Sequence, residues 1–233
     1  MNIKEMRSKH PISYKLEAKP MNGKTVVYLY GDIVDEVPMN WWTGEPETGD
    51  FITPKGVRET LDAVESNEIE LHINSYGGSV FASIAIKSYL EGLGKNITVY
   101  VDAIAASGGS IIAMAGNTIK MNPSAMLMIH RAWSVAMGNC NDFLKQAETL
   151  EKIDQSVLEA YVGKFKGDKA ELSKMVNDET WLTADEAFEL GLCDEVVRET
   201  KTEEPKNKYQ KPVNMVASFI DAAFINSKNK GEK

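Results

Sequence analysis

Residues 69–109, IELHINSYGGSVFASIAIKSYLEGLGKNITVYVDAIAASGG, decide the fold. Residues 69–74 alternate apolar and polar side chains as a short strand does. Residues 79–93 set Ile84, Ile86 and Leu90 in a helical segment, and 97–103 read as a second strand. Strands joined by a crossover of this length pair in parallel, which predicts an α/β fold. Upstream, residues 24–33 (KTVVYLYGDI) are Val- and Tyr-rich and read as a strand. Residues 37–50 mix Trp41 and Trp42 with Pro and Gly and read as a long loop. Thr53-Pro54 caps a helix predicted to run to about residue 66, with Val57, Leu61 and Val64 on one face.

Downstream, SGGSIIAMAG (107–116) reads as a buried helix whose small residues let it approach a sheet closely. Short strands are expected at 118–121 and 125–130, around the Asn122-Pro123 turn. Residues 139–164 form a long charged helix with Phe143, Leu150, Ile153, Val157 and Tyr161 as its apolar stripe. Two more helices are expected at 168–176 and 183–190, the second stopped by Gly191, and a last strand at 194–198. The predicted organisation is a loosely held leader over 1–23, broken by Pro11, Pro20 and Gly23, then a domain over 24–198. Residues 199–233 are a charged linker and a short C-terminal helix lined by Val213, Val216, Ile220 and Phe224.

The 233-residue chain has a net charge of −8, and residues 26–198 alone carry 13 basic against 27 acidic groups. Such a surface repels phosphate backbones, so no nucleic-acid partner is expected. The most nearly uncharged long stretch, 103–122, is broken by Lys120 and carries Ser-Gly-Gly within it, which argues against a membrane span. Cys140 and Cys193 form no CxxC or Cys/His cluster, so no zinc site is expected. The N-terminus lacks an apolar signal region, and a reducing cytoplasm is the expected compartment.

Chemistry is expected at three strand ends. Asn74-Ser75-Tyr76-Gly77-Gly78-Ser79 joins a strand to a helix, where paired glycines turn backbone N–H groups outward; a plain βα turn is the competing reading. Ala105-Ala106-Ser107-Gly108-Gly109 sets a serine at the start of a helix, either as a nucleophile beside a free N–H or simply as an N-cap. Met126-Leu127-Met128-Ile129-His130 ends a strand on a histidine. With only His10 in the leader and His72 inside a strand as rivals, His130 is the strongest candidate base. A histidine with no acid-then-histidine order after Ser107, and Ala105 where G-x-S-x-G needs glycine, disfavours an α/β-hydrolase.

Taken together, Asn-Ser-x-Gly-Gly-Ser-Val, Ala-Ala-Ser-Gly-Gly, Met-Ile-His and Leu-Thr-Ala-Asp-Glu-Ala with Glu-Leu-Gly-Leu-Cys-Asp-Glu-Val resemble the Clp protease proteolytic subunit (ClpP) family over about residues 24–198. The likeness is nearest to the phage and prophage ClpP-like head maturation proteases, to which the 41–50 insertion points. The resemblance implies a ClpP/crotonase-like spiral of ββα units and a serine endopeptidase without a cofactor or metal. Ser107 would be the nucleophile, His130 the base, and Gly78 and Gly108 the oxyanion hole. The register through Trp181 makes Glu179 the acid, with Asp178 the alternative, and Tyr76 replaces the family's usual proline. The implied partners are a polypeptide substrate and further copies of the chain in a ring, heptameric or stacked. A Clp-type ATPase or a capsid or scaffold protein of an assembling procapsid is implied as a further partner. A crotonase-type acyl-CoA enzyme and a catalytically idle assembly protein are the alternatives.

Overall fold

The computed structural model describes residues 3–49 and 51–198. The expected linker and terminal helix of 199–233 lie outside the described residues. One eight-stranded sheet holds the fold. Its backbone is β2 (Lys24–Ile33), β3 (Glu68–Gly78), β4 (Asn96–Ala106), β5 (Thr118–Met121) and β8 (Glu195–Val196), all paired in parallel. The parallel pairing follows from the crossovers: α2 (Pro54–Asp62) joins β2 to β3, and α3 (Val80–Gly92) joins β3 to β4. Thr53 caps α2 by accepting from the Gly56 N–H, with Pro54 at the first turn. Ser79 caps α3 in the same way through the Ala82 N–H. Period-two burial along β3 drives Ile69, Leu71 and Ile73 into the core beneath these helices, each contributing about 1.5–3 kcal/mol of hydrophobic burial.

β4 divides the sheet. Its first half, Thr98–Val101, pairs with β5, whereas Ile104–Ala106 pairs with β6 (Met126–Ile129), which in turn pairs antiparallel with β7 (Thr180–Thr183). The strand therefore changes partner midway, and the ends of β3, β4 and β6 converge. α4 (Gly108–Ala113), wholly buried, fills the space behind them as its small residues predict. α5 (Cys140–Val162) opens with a capping box between Asn139 and Asp142. Val157 and Tyr161 are buried against the core while Phe143 and Leu144 stay 52 % and 60 % exposed. Only the second half of the expected stripe covers the sheet.

Three expectations are corrected. The leader is not loose throughout: after α1 (Ile3–Lys9), β1 (Lys15–Met21) pairs with β2 along its whole length. Asn22 and Gly23 turn the hairpin with φ of 49° and 81°, the left-handed pair that a two-residue loop between twisted strands requires. Pro20 is tolerated because β1 is an edge strand. The helix predicted to run to residue 66 ends at Asp62. β7, read as part of a loop and a helix start, is a strand because β6 offers it a ladder. The 37–49 loop is as expected, closed by an isolated bridge between Met39 and Pro46, with both tryptophans 79 % exposed.

Candidate active site

Ser107 stands at the end of β4 with φ 54° and ψ −122°. This is a conformation that L-residues avoid and that persists only where the surroundings impose it. The surroundings are visible: the Ser107 N–H donates to Met128 O at 2.9 Å, and its carbonyl accepts from the N–H groups of Ser110 and Ile111. The strained backbone turns the hydroxyl away from α4, where it makes no capping bond, so the N-cap reading does not hold. Ser107 Oγ instead lies 2.8 Å from His130 Nε2.

His130 follows the last residue of β6, and burial pushes its pKa below the ordinary histidine value, opposed by the nearby charges of Glu179 and Asp154. The ring is thus kept neutral at neutral pH with Nε2 facing the serine. On its other side Glu179 Oε2 stands 4.0 Å from Nδ1, too long for a hydrogen bond. Glu179 also has a left-handed backbone, φ 52°, just past the Asp178 C-cap of α6 (Lys169–Asn177), a place where glycine or asparagine is usual. The Trp181 indole N–H donates to its Oε1 at 3.4 Å. Asp178 takes no part: it pairs with Lys174 at 2.5 Å on the surface. The structure brings Ser107, His130 and Glu179 together and leaves Asp178 outside. His72 stays remote in β3, its Nδ1 2.9 Å from Asp102 Oδ2.

The glycine pair is a matter of space. A Cβ on Gly78 would stand 1.9 Å from Ile33 O, and one on Gly77 2.6 Å from both Ala106 O and Gly108 N. A Cβ on Gly108 would meet Ser83 Oγ at 2.2 Å and lie 3.4 Å from Gly78 N. The backbones of Gly78 and Gly108 therefore approach each other directly beside Ser107. Ser75, buried, ties the turn down: its hydroxyl donates to Gly31 O at 2.6 Å and accepts from the Gly77 N–H at 2.9 Å. A cavity of about 460 Å³ opens over the pair, walled by Val80, Tyr76, Ala132, Trp133 and the acidic Asp35 and Glu36, with Ile3 and Arg7 of α1 at its border. Among the described residues no cluster of His, Cys, Asp and Glu is arranged to hold a metal ion, and no helix is long and apolar enough to cross a membrane.

Three supporting residues escaped the sequence reading. Ser110, fully buried, has its hydroxyl 2.7 Å from Ser107 O, 2.8 Å from Met128 O and 2.8 Å from Tyr161 Oη, joining α4, β6 and α5. Tyr161, a member of the apolar stripe, is thus also a polar partner in the core. Asp154, a buried carboxylate next to Ile153 in that stripe, accepts from the Ala132 N–H. A charge in an apolar face was the signal available.

The chain is similar to proteins of one known family. A family model described as Clp protease matches residues 59–200, a span holding Gly78, Ser107, Gly108, His130 and Glu179. The chain is 33% identical over 129 residues to the ATP-dependent Clp protease proteolytic subunit 1 of Protochlamydia amoebophila (strain UWE25), covering 54% of this chain and 63% of that one. To the ATP-dependent Clp protease proteolytic subunit of Bacteroides thetaiotaomicron it is 28% identical over 140 residues, 59% of this chain and 64% of the relative. The corresponding subunit of Bacteroides fragilis (strain ATCC 25285) is 30% identical over 141 residues, with 59% and 68% covered. The chain thus spans a little under two thirds of the length of the first two relatives.

Proposed function

The chain belongs to the Clp protease family, and from that premise we propose that it is a serine endopeptidase with Ser107 as nucleophile, His130 as base and Glu179 as the orienting acid. The observation that carries this reading is the 2.8 Å contact between Ser107 Oγ and His130 Nε2, made by a serine in a strained backbone. His130 takes the hydroxyl proton as Ser107 attacks a peptide carbonyl. The N–H groups of Gly78 and Gly108 hold the oxyanion, and Glu179 stabilises the imidazolium that forms. His130 then protonates the leaving amine, and water releases the acyl group by the same steps. No step calls for a cofactor.

The substrate is an extended polypeptide laid along the chain that leaves His130, of which Ala132 and Trp133 wall the cavity. The 41–49 insertion with its exposed tryptophans supports the phage or prophage branch, hence a capsid or scaffold protein as the substrate in the cytoplasm or an assembling procapsid. The open first half of α5 supports assembly into a homo-oligomeric ring, with a Clp-type ATPase as a further partner. Neither the acyl-CoA enzyme nor the idle assembly protein requires a serine hydroxyl seated on a histidine, so neither gains from this site.

A fluorophosphonate probe tests the chemistry. Mass spectrometry is expected to find the adduct on Ser107, with His130→Ala abolishing it. An unreactive protein, or an adduct elsewhere, rejects the assignment. Light scattering returning a 25.8 kDa monomer at micromolar concentration rejects the ring.

A further inference from the structure

Helix α5 carries one charge that covering the sheet does not explain. Asp154 is 7 % exposed, a place where an unpaired carboxylate is strongly disfavoured. Both its oxygens are committed to the chain leaving the histidine: Oδ1 accepts from the Ala132 N–H at 2.7 Å, and Oδ2 from Arg131 Nε at 2.6 Å. That chain needs holding. The β4–β6 ladder ends at Met128 and the β6–β7 ladder at Ile129, so His130 is the first residue beyond both. Glu179, at 4.0 Å, does not hold the ring by a hydrogen bond. Ala132, itself gripped, and Trp133, directly after it, wall the same cavity as Ser107.

We propose that Asp154 is a positioning residue for the base: from α5 it clamps Arg131 and Ala132, and so fixes the direction of the His130 imidazole and the course of the cleft wall. This deepens the serine-peptidase reading and rests on it. A carboxylate that only fastened α5 to the sheet would serve stability and leave the properties of His130 untouched. The charged groups acting on His130 are Glu179, before β7, and Asp154, which both favour the imidazolium, and the Arg131 guanidinium lies against the Asp154 carboxylate.

The test uses the full chain with labelled histidine, in which only His10, His72 and His130 give signals and the His130 signal is the one lost in His130→Asn. Asp154→Asn is expected to lower the titration midpoint of His130 and to slow fluorophosphonate labelling of Ser107 at least about tenfold. Arg131→Ala, which removes a half-exposed side chain and leaves the carboxylate uncompensated, is expected to raise the midpoint. If Asp154→Asn does not fold, the Arg131→Ala titration alone decides. A His130 midpoint unmoved in either folded variant, or an Asp154→Asn labelling rate within twofold of the parent, overturns the proposal. If the parent protein itself is not labelled, the peptidase reading fails, and the titration still decides whether Asp154 governs His130.

Discussion

Ser110→Ala is expected to destabilise the protein more than Tyr161→Phe does, and adding the second change is expected to repair part of the first. The two hydroxyls meet at 2.8 Å where Ser110 is 0 % and Tyr161 1 % exposed. Ser110 Oγ also faces two carbonyl oxygens, so its single proton goes to a carbonyl and Tyr161 is the donor of the shared bond. Burial pushes the ionisation of Tyr161 well above the ordinary tyrosine value, which keeps it a neutral donor. Tyr161→Phe removes that donor and strands nothing, at the net cost of one hydrogen bond, about 1 kcal/mol. Ser110→Ala strands a phenolic hydroxyl in the core and is expected to cost about 2–3 kcal/mol. The carbonyls stay satisfied without Ser110 Oγ: Ser107 O keeps the Ser110 and Ile111 N–H groups, and Met128 O keeps the Ser107 N–H. With the phenol gone as well, the double variant is expected to lose about 1–2 kcal/mol, against about 3–4 if the sites were independent. Urea unfolding followed by tryptophan fluorescence, with an unchanged slope, measures this. A double variant at or beyond the sum of the singles would falsify the assignment of donor and acceptor.

Ser107→Ala, His130→Ala and their combination are expected to leave the same residual peptidase activity, because the two side chains act as one unit; multiplying losses would separate them. Glu179→Gln is expected to lower turnover about tenfold or more with the fold intact, whereas Asp178→Asn, which removes only a surface partner of Lys174, changes little; the reverse result moves the acid by one residue. Burial lowers the His130 pKa in the fold, so its contribution to stability is fully present above the unfolded value of about 6.5 and is lost as pH falls through the folded value. The acid limb of the labelling-rate profile therefore lies below that of free histidine, and a limb above it contradicts the buried base. Gly78→Ala, whose Cβ would stand 1.9 Å from Ile33 O at a φ of 152°, is expected to lose at least about 3 kcal/mol of stability. A thermal midpoint equal to the parent's would show that the β2–β3 contact yields.

Local patterns were enough for the elements whose signal lies within a few residues. The Val- and Tyr-rich composition of 24–33 matches β2, Thr53-Pro54 and Ser79 mark helix starts, and the small residues after Ser107 match the buried α4. The two glycine turns, the serine and the histidine were also legible, because each sits at a change of period from strand to turn or helix. Tertiary structure decided what depends on partners far along the chain. β1 and β7 are strands because β2 and β6 offer them ladders, and β4 changes partner at its middle, which is what carries the end of β6 to Ser107. Which of Glu179 and Asp178 lies nearer His130 was closed to composition: Glu179, with a left-handed φ, stands 4.0 Å from the imidazole, while Asp178 ends a helix and pairs with Lys174 at the surface. Tyr161 reads as one more apolar residue and Asp154 is not singled out by the sequence; packing sets both against the strand ends. Periodicity records which face of an element is buried; what that face meets is set by contacts between residues distant in sequence.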